Sequence, residues 1–142
     1  MRSLLDVNVA IALLDADHSL HRRATDWFRQ HGNAGWASCP IVQNGCIRIM
    51  SNPGYPNPLT AKLVVERLRD ATDDPTHEFW PDDVSVLDPA RFDATRIHGP
   101  RQLTDVYLLA LAVHRGGRFV TFDASISTDA VARFKPAHLL KL

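Results

Sequence analysis

The chain has 142 residues, a formal net charge of zero and 45% hydrophobic residues. This length suits one domain with a substantial core, and the composition excludes disordered and fibrous classes of protein. Because the charge is balanced, a broad basic surface for nucleic acid is excluded, although a local basic patch is not.

The N-terminal segment and the two cysteines indicate the cellular compartment of the protein. Asp6, Asn8 and Asp15 interrupt the early apolar run, which is not typical of a signal peptide, and no segment is long enough to span a membrane. Cys39 and Cys46 are predicted on one helix two turns apart, too distant for a disulfide. We therefore expect a reduced, cytoplasmic protein without a membrane anchor.

The first half of the chain predicts two strands, each followed by helix. Residues 3–7 form a short apolar run typical of a buried strand, and residues 8–15 predict a short helix. A second helix is predicted over residues 19–32. Residues 35–39 predict the second strand, and Pro40 is well placed as the first residue of the next helix.

The second half continues the alternation. Residues 59–74 predict an amphipathic helix with Leu59, Leu63 and Leu68 near one face, and residues 73–83 predict an acidic, solvated loop. The remaining predicted elements are a third strand over residues 84–88, a helix over residues 104–117 capped by Thr104, a fourth strand over residues 118–123 and a possible fifth over residues 138–142.

Strands alternating with helices predict an α/β fold. The central sheet is expected to be mostly parallel, with about four or five strands flanked by helices, and residues 1–142 are expected to form a single domain. In such sheets, ligands bind beyond the carboxyl ends of the strands.

Four polar residues are predicted to converge on that edge of the sheet. Asp6 closes the first strand, Asp123 closes the fourth, and Asp105 opens the helix that leads into the fourth strand. Gln43 lies in the first turns of the helix that follows the second strand. Each of these residues, taken singly, is as well explained as a turn, cap or first-turn residue.

Clustered carboxylates repel one another unless a cation compensates their charge. Oxygen ligands suit Mg²⁺ or Mn²⁺ rather than zinc, and such an ion can activate water and neutralise charge at a phosphate. The residues alone leave two interpretations about equally open: ordinary turn and cap roles, or a metal site with Asp6, Asp105 and Asp123 as ligands and Gln43 beside them.

Three motifs in this order resemble the PIN domains of VapC-type toxins from bacterial toxin–antitoxin pairs. The segments are LLDVNVAIALLDADHSLHRRA at the start, WASCPIVQNGCIRIMS in the middle and LTDVYLLALAVHRGGRFVTFD near the end. The resemblance implies a three-layer PIN-like fold and a metal-dependent endoribonuclease that cuts RNA, often tRNA or rRNA. It further implies a homodimer and a cognate VapB-type antitoxin that blocks the acidic site.

The resemblance implies that Asp6, Gln43, Asp105 and Asp123 are the catalytic residues, although in this family a Glu normally occupies the place of Gln43. Gln keeps the shape of Glu but lacks its charge and cannot act as a base, so the rate should fall by ~10² to ~10⁴. Gln43 is explained either by a natural variant or by an engineered, inactivated form, and the shape-preserving change favours the second. Gln43→Glu is then expected to restore metal-dependent RNA cleavage.

The resemblance also implies supporting polar residues at Asn8, Thr104 and Thr121. Because the net charge is zero, the basic residues that bind RNA must form a local patch. Arg48 and Arg101 are the best candidates for contacts to RNA phosphates, since they flank the segments that carry the site residues.

Two other functions remain open at this point. A phosphotransferase of the HAD type also opens with a strand ending in Asp, but it needs a second acid where this chain has Asn8. A catalytically silent module that binds an antitoxin or RNA without cleaving it is the other alternative, since Gln43 lacks the charge of the family Glu.

Overall fold

The computed structural model describes residues 1–123 and 125–142. The chain begins with β1 (Ser3–Leu5), α1 (Val7–Leu14), α2 (His21–His31), β2 (Trp36–Ser38), α3 (Pro40–Met50) and α4 (Ala61–Thr72). It continues with β3 (His77–Phe79), α5 (Leu103–His114), β4 (Arg118–Thr121) and β5 (Leu139–Lys141).

The five strands form one sheet in the order β3-β2-β1-β4-β5, and every neighbouring pair is parallel. The predicted α/β architecture is therefore confirmed, and the fifth strand is present. Since crossovers between parallel strands are right-handed, the run β1 to β3 places α1 to α4 on one face, and the return to β4 places α5 on the other. Strands β2 and β3 are added on one side of β1, and β4 and β5 on the other, so the crevice beyond the carboxyl ends of β1 and β4 is the topological switch point.

The predicted third strand is wrong. Residues 84–88 form no strand, and Leu87 in that segment is 87% exposed. The third strand is instead β3, within the segment predicted as an acidic loop, and Trp36 of β2 pairs with His77. β3 lies at the edge of the sheet, where one side faces solvent, so polar residues suit it and the apolar pattern that reveals a buried strand is missing.

The end of the predicted acidic loop is anchored to the protein rather than solvated. An Asp82 carboxylate oxygen accepts a hydrogen bond from the Ile41 backbone N–H at 3.1 Å, at the start of α3. Asp83 accepts one from the Arg115 guanidinium at 2.7 Å. These two contacts fix the N-terminus of α3 and tie the loop to the end of α5.

Two details of the predicted helices also need correction. Thr104 does not cap α5, because the helix begins at Leu103 with Gln102 at the N-cap position, and Thr104 is exposed. In α4 the buried residue is Val64, whereas Leu63 is 45% exposed. The predicted end of α5 is confirmed, since Gly116 follows it with φ of 66°, a conformation that glycine adopts without strain.

The core is a continuous cluster on both faces of the sheet. Trp27 and Trp36 are buried in it, and Cys39 and Cys46 are buried free thiols. Helix α5 is apolar on nearly every side, as expected for a helix largely enclosed by protein. Across residues 1–123 and 125–142, no helix has the length and apolar composition to cross a bilayer.

The close contact between α1 and α3 at Gly45 gives a test of the packing. A Cβ added there would lie 2.8 Å from Val7 Cγ2, and a β-branched side chain cannot turn away easily. Despite the better helix propensity of Ala, Gly45→Ala is expected to reduce the free energy of unfolding by about 1–3 kcal/mol. Urea denaturation measures this. Adding Val7→Ala should remove the clash, so a double variant less stable than Gly45→Ala alone would contradict the explanation.

Candidate active site

Asp6 is fixed at the carboxyl end of β1 by hydrogen bonds to both carboxylate oxygens. Oδ1 accepts from the Val7 backbone N–H at 2.7 Å and so caps α1. Oδ2 accepts from the Thr121 hydroxyl at 2.7 Å. The side chain is buried, and burial raises its pKa, while the bonds from Thr121 and Val7 oppose that rise. Asp6 is thus a preorganised carboxylate whose position depends on β4.

Asp123 follows β4 and is held by a local turn. Its backbone N–H donates to the Thr121 hydroxyl at 3.0 Å. Its Oδ1 accepts from both the backbone N–H and the hydroxyl of Ser125, each at 2.8 Å. These two bonds are the main cause of a lowered pKa. Thr121 therefore links Asp6 to Asp123, one hydroxyl serving as donor to the first and acceptor from the second.

Asp105, at the start of α5, adds a third carboxyl group to the edge of the sheet that holds Asp6 and Asp123. It is the third residue of α5 and is half-buried. Burial, the negative charges of Asp6 and Asp123, and a hydrogen bond to Asp123 raise its pKa to about 7. The pKa of Asp123 is shifted the opposite way, so Asp105 is the member of this pair whose charged form is disfavoured. The three aspartates are close enough to resist simultaneous ionisation.

This electrostatic strain is what a divalent cation would relieve. The donors are all carboxylate oxygens, which fit Mg²⁺ or Mn²⁺. In the described part of the chain, no group of three or more His, Cys, Asp or Glu side chains is arranged to enclose a metal ion. Thr121, Val7 and Ser125 occupy some of the carboxylate lone pairs instead. The chemistry of the donor set fits the cation.

The side chain of Gln43 forms its hydrogen bond with Ser38 and not with the aspartates. It is the fourth residue of α3, and its Nε2 donates to the Ser38 hydroxyl at 3.0 Å. Ser38 is the last residue of β2, and its hydroxyl lies 2.8 Å from Nε2 of His77 on β3. Gln43 also lines a shallow groove beside α4 with Leu68. No described hydrogen bond joins Gln43 to the aspartates.

The remaining predicted site residues make no described hydrogen bond to the aspartates. Asn8 and Thr104 are exposed near the starts of α1 and α5. Arg101 is exposed in the short 3₁₀ turn Pro100–Gln102 that leads into α5, and Arg48 is exposed in the last turn of α3. Arg48 and Arg101 form no ion pair with any described residue.

Three residues around the site were not predicted from the sequence: Ser125, Ser38 and His77. Ser125 had a local signal, because an Asp two residues before a Ser commonly forms a turn in which the carboxylate accepts the later N–H. Ser38 and His77 had none, since they meet only when β2 and β3 pair.

The geometry defines an α/β protein with an acidic cluster at the switch point of an all-parallel sheet. The sequence profile of the PIN domain family matches residues 3–130. Ribonuclease VapC44 of Mycobacterium tuberculosis is 51% identical over 142 residues, which is 100% of both chains. Ribonuclease VapC39 of the same organism is 41% identical over 133 residues, 93% of this chain and 96% of the relative.

Ribonuclease VapC38 from Mycobacterium tuberculosis is similar over its whole length, with 41% identity across 145 aligned positions and 99% of each chain covered. The chain belongs to the PIN domain family, in its VapC group of ribonucleases. The resemblance stated from the three motifs is therefore confirmed.

Proposed function

We propose that the protein is the toxin of a type II toxin–antitoxin pair and acts in the cytoplasm as a Mg²⁺- or Mn²⁺-dependent endoribonuclease. The observation that carries this proposal is the convergence of Asp6, Asp105 and Asp123 beyond β1 and β4. The relatives named as ribonucleases support the reaction class. The proposed substrate is tRNA or rRNA, and residues 1–142 are proposed to form one PIN domain.

Each proposed role follows from a contact. Asp6, Asp105 and Asp123 would hold the cation, which when bound supplies an activated water and offsets charge at the scissile phosphate. Thr121 and the Val7 N–H keep Asp6 oriented, and Ser125 keeps Asp123 oriented. These second partners restrict carboxylate rotation, which strengthens metal binding.

The surrounding residues are proposed to serve the substrate. Arg101 precedes the helix that carries Asp105, and Arg48 lies on the helix that carries Gln43, so both could contact RNA phosphates. Asn8 and Thr104 are proposed to support the site from the first turns of α1 and α5. A homodimer and a VapB-type antitoxin that covers the aspartates are the proposed assembly.

Metal dependence is the direct test of this proposal. Purified protein is expected to cleave RNA with Mg²⁺ or Mn²⁺, to lose cleavage with a chelator and to regain it when the ion is added back. Gel analysis of end-labelled tRNA and rRNA fragments measures this. Asp6→Asn is the control against contaminating nucleases, because it should remain inactive under all conditions. Equal cleavage by Asp6→Asn and the unchanged protein would refute the assignment.

The alternative of a silent binding module draws support from one contact. Gln43 is a neutral amide whose Nε2 donates to Ser38, so it adds no charge to the aspartate cluster. This alternative predicts tight RNA or antitoxin binding without cleavage at any metal concentration, even after Gln43→Glu.

The phosphotransferase alternative is disfavoured at position 8. The second acid that this chemistry needs is replaced there by Asn8, whose side chain is exposed near the start of α1. No turnover of a simple phosphate monoester is expected.

A further inference from the structure

A chain of hydrogen bonds leads away from Gln43 to the edge of the sheet. Gln43 Nε2 donates to Ser38 Oγ at 3.0 Å, and Ser38 Oγ lies 2.8 Å from His77 Nε2. The chain of bonds thus connects α3, β2 and β3.

The direction of the first bond constrains the second. Because the Gln43 amide donates to Ser38 Oγ, the hydroxyl proton of Ser38 is left for His77, and a neutral ring that carries its proton on Nδ1 accepts it at Nε2. Burial lowers the pKa of His77, which favours this neutral ring. Ser38 therefore donates to His77 and has only lone pairs left for position 43. An amide can donate to those lone pairs, whereas a carboxylate cannot.

We propose that Ser38 and His77 are positioning residues that select an amide at position 43 and hold it on the α4 side of the sheet. The inference rests on the proposed ribonuclease function, since position 43 matters through that site. Gln43 then belongs to the architecture of this chain, in contrast to the engineered loss favoured from the sequence. A Glu introduced there would be captured by Ser38 and would reach the aspartates only in part.

In the Gln43→Glu protein, binding of the introduced carboxylate by Ser38 requires the hydrogen bonds among positions 43, 38 and 77 to rearrange. The Ser38 hydroxyl would donate to the carboxylate, and His77 Nε2 would lose its donor. The ring would then take up a second proton and donate from both nitrogens. Arg2 opposes that protonation, while Asp74 and Glu78 favour it, and these are the charged groups acting on His77. The pKa of His77 is therefore expected to rise in the Gln43→Glu protein.

The first experiment is ¹⁵N NMR of the histidine rings, assigned by loss of the His77 signals in His77→Gln. The unchanged protein should show neutral His77 protonated at Nδ1, and Gln43→Glu should raise its titration midpoint by about one pH unit or more. Ser38→Ala should cancel that rise in the Gln43→Glu background. A His77 protonated at Nε2 in the unchanged protein, or a midpoint unaffected by Gln43→Glu, would overturn the proposal.

The second experiment compares metal-dependent RNA cleavage by Gln43→Glu with that by Gln43→Glu/Ser38→Ala. Release of the Glu from Ser38 should make the double variant faster by about tenfold, within the range seen when partners of site residues change. Equal rates in the two variants would overturn the positioning role. Absence of metal-dependent cleavage in both, with the NMR result as expected, would instead refute the ribonuclease function alone.

Discussion

Asp105→Asn is expected to abolish RNA cleavage and at the same time stabilise the metal-free protein. Cleavage should fall by ~10³-fold or more, because a bound metal ion supplies several kcal/mol of transition-state stabilisation. Stability should rise because burial and the charges of Asp6 and Asp123 disfavour an ionised Asp105. After allowance for its partial exposure, the gain at pH 8 is about 1 kcal/mol, or about 3–5 °C in Tm.

The pH dependence of this gain follows from the direction of the shift. The pKa of Asp105 rises from 3.8 to about 7 on folding. Between those values the folded state binds the proton that the unfolded state has lost, so stability falls as the pH rises. The advantage of Asn should therefore be absent below pH ~4, grow up to pH ~7 and stay constant above that pH.

Thermal unfolding with a chelator at pH 5 and pH 8 measures this difference. Asp70→Asn removes one exposed charge from α4 and serves as the matched control. If Asp70→Asn raised Tm equally, the effect would reflect net charge and not the cluster. Excess Mg²⁺ should reduce the advantage of Asp105→Asn, because the ion binds the unchanged protein and stabilises it.

Thr121→Val is expected to damage both stability and cleavage although the two side chains have nearly the same shape. Thr121 is fully buried, and the change leaves Asp6 Oδ2 without its donor and the Asp123 N–H without its acceptor. The unmet groups should cost about 2–3 kcal/mol of unfolding free energy. Cleavage should fall by about 10- to 100-fold, since Asp6 and Asp123 lose the hydroxyl that orients them.

Thr121→Ser separates the hydroxyl from the methyl group. It removes one buried methyl, which costs about 1 kcal/mol, but keeps both hydrogen bonds. Its cleavage rate in saturating metal should stay close to that of the unchanged protein. A Ser variant as slow as the Val variant would show that packing at this position matters and that the hydroxyl does not.

The sequence allowed the parts of the fold that bury apolar surface to be predicted. β1 and β4 bury Leu4, Leu5, Phe119 and Val120 because they lie in the interior of the sheet, and α5 is apolar because it is enclosed. β3 was missed since an edge strand carries polar residues such as His77 and Glu78 without penalty. Residues 84–88 alternate like a strand, yet they have no sheet partner.

In the candidate site, likewise, some residues could be predicted from a local pattern, whereas other contacts depend on how the strands pair. Asp6 and Asp123 were predictable because Asp6 directly follows β1 and Asp123 lies two residues after β4, and the ends of these strands fix the edge of the sheet. The bond from Thr121 to Asp6 and the bond from Ser38 to His77 depend on strand pairing, which no local pattern encodes. The side-chain direction of Gln43 depends on those pairings as well.

The neighbouring positions of β1 and β4 also determine when the site can exist during synthesis. Asp6 and Thr121 are separated by 115 positions in the chain, so their contact closes one of the longest loops in the fold. Contacts of such high sequence separation form slowly and cannot form before both ends have emerged from the ribosome. A ribosome-bound or prematurely terminated chain that lacks β4 would carry Asp6 but no acidic cluster. The proposed nuclease activity therefore cannot arise until translation of the chain is almost finished.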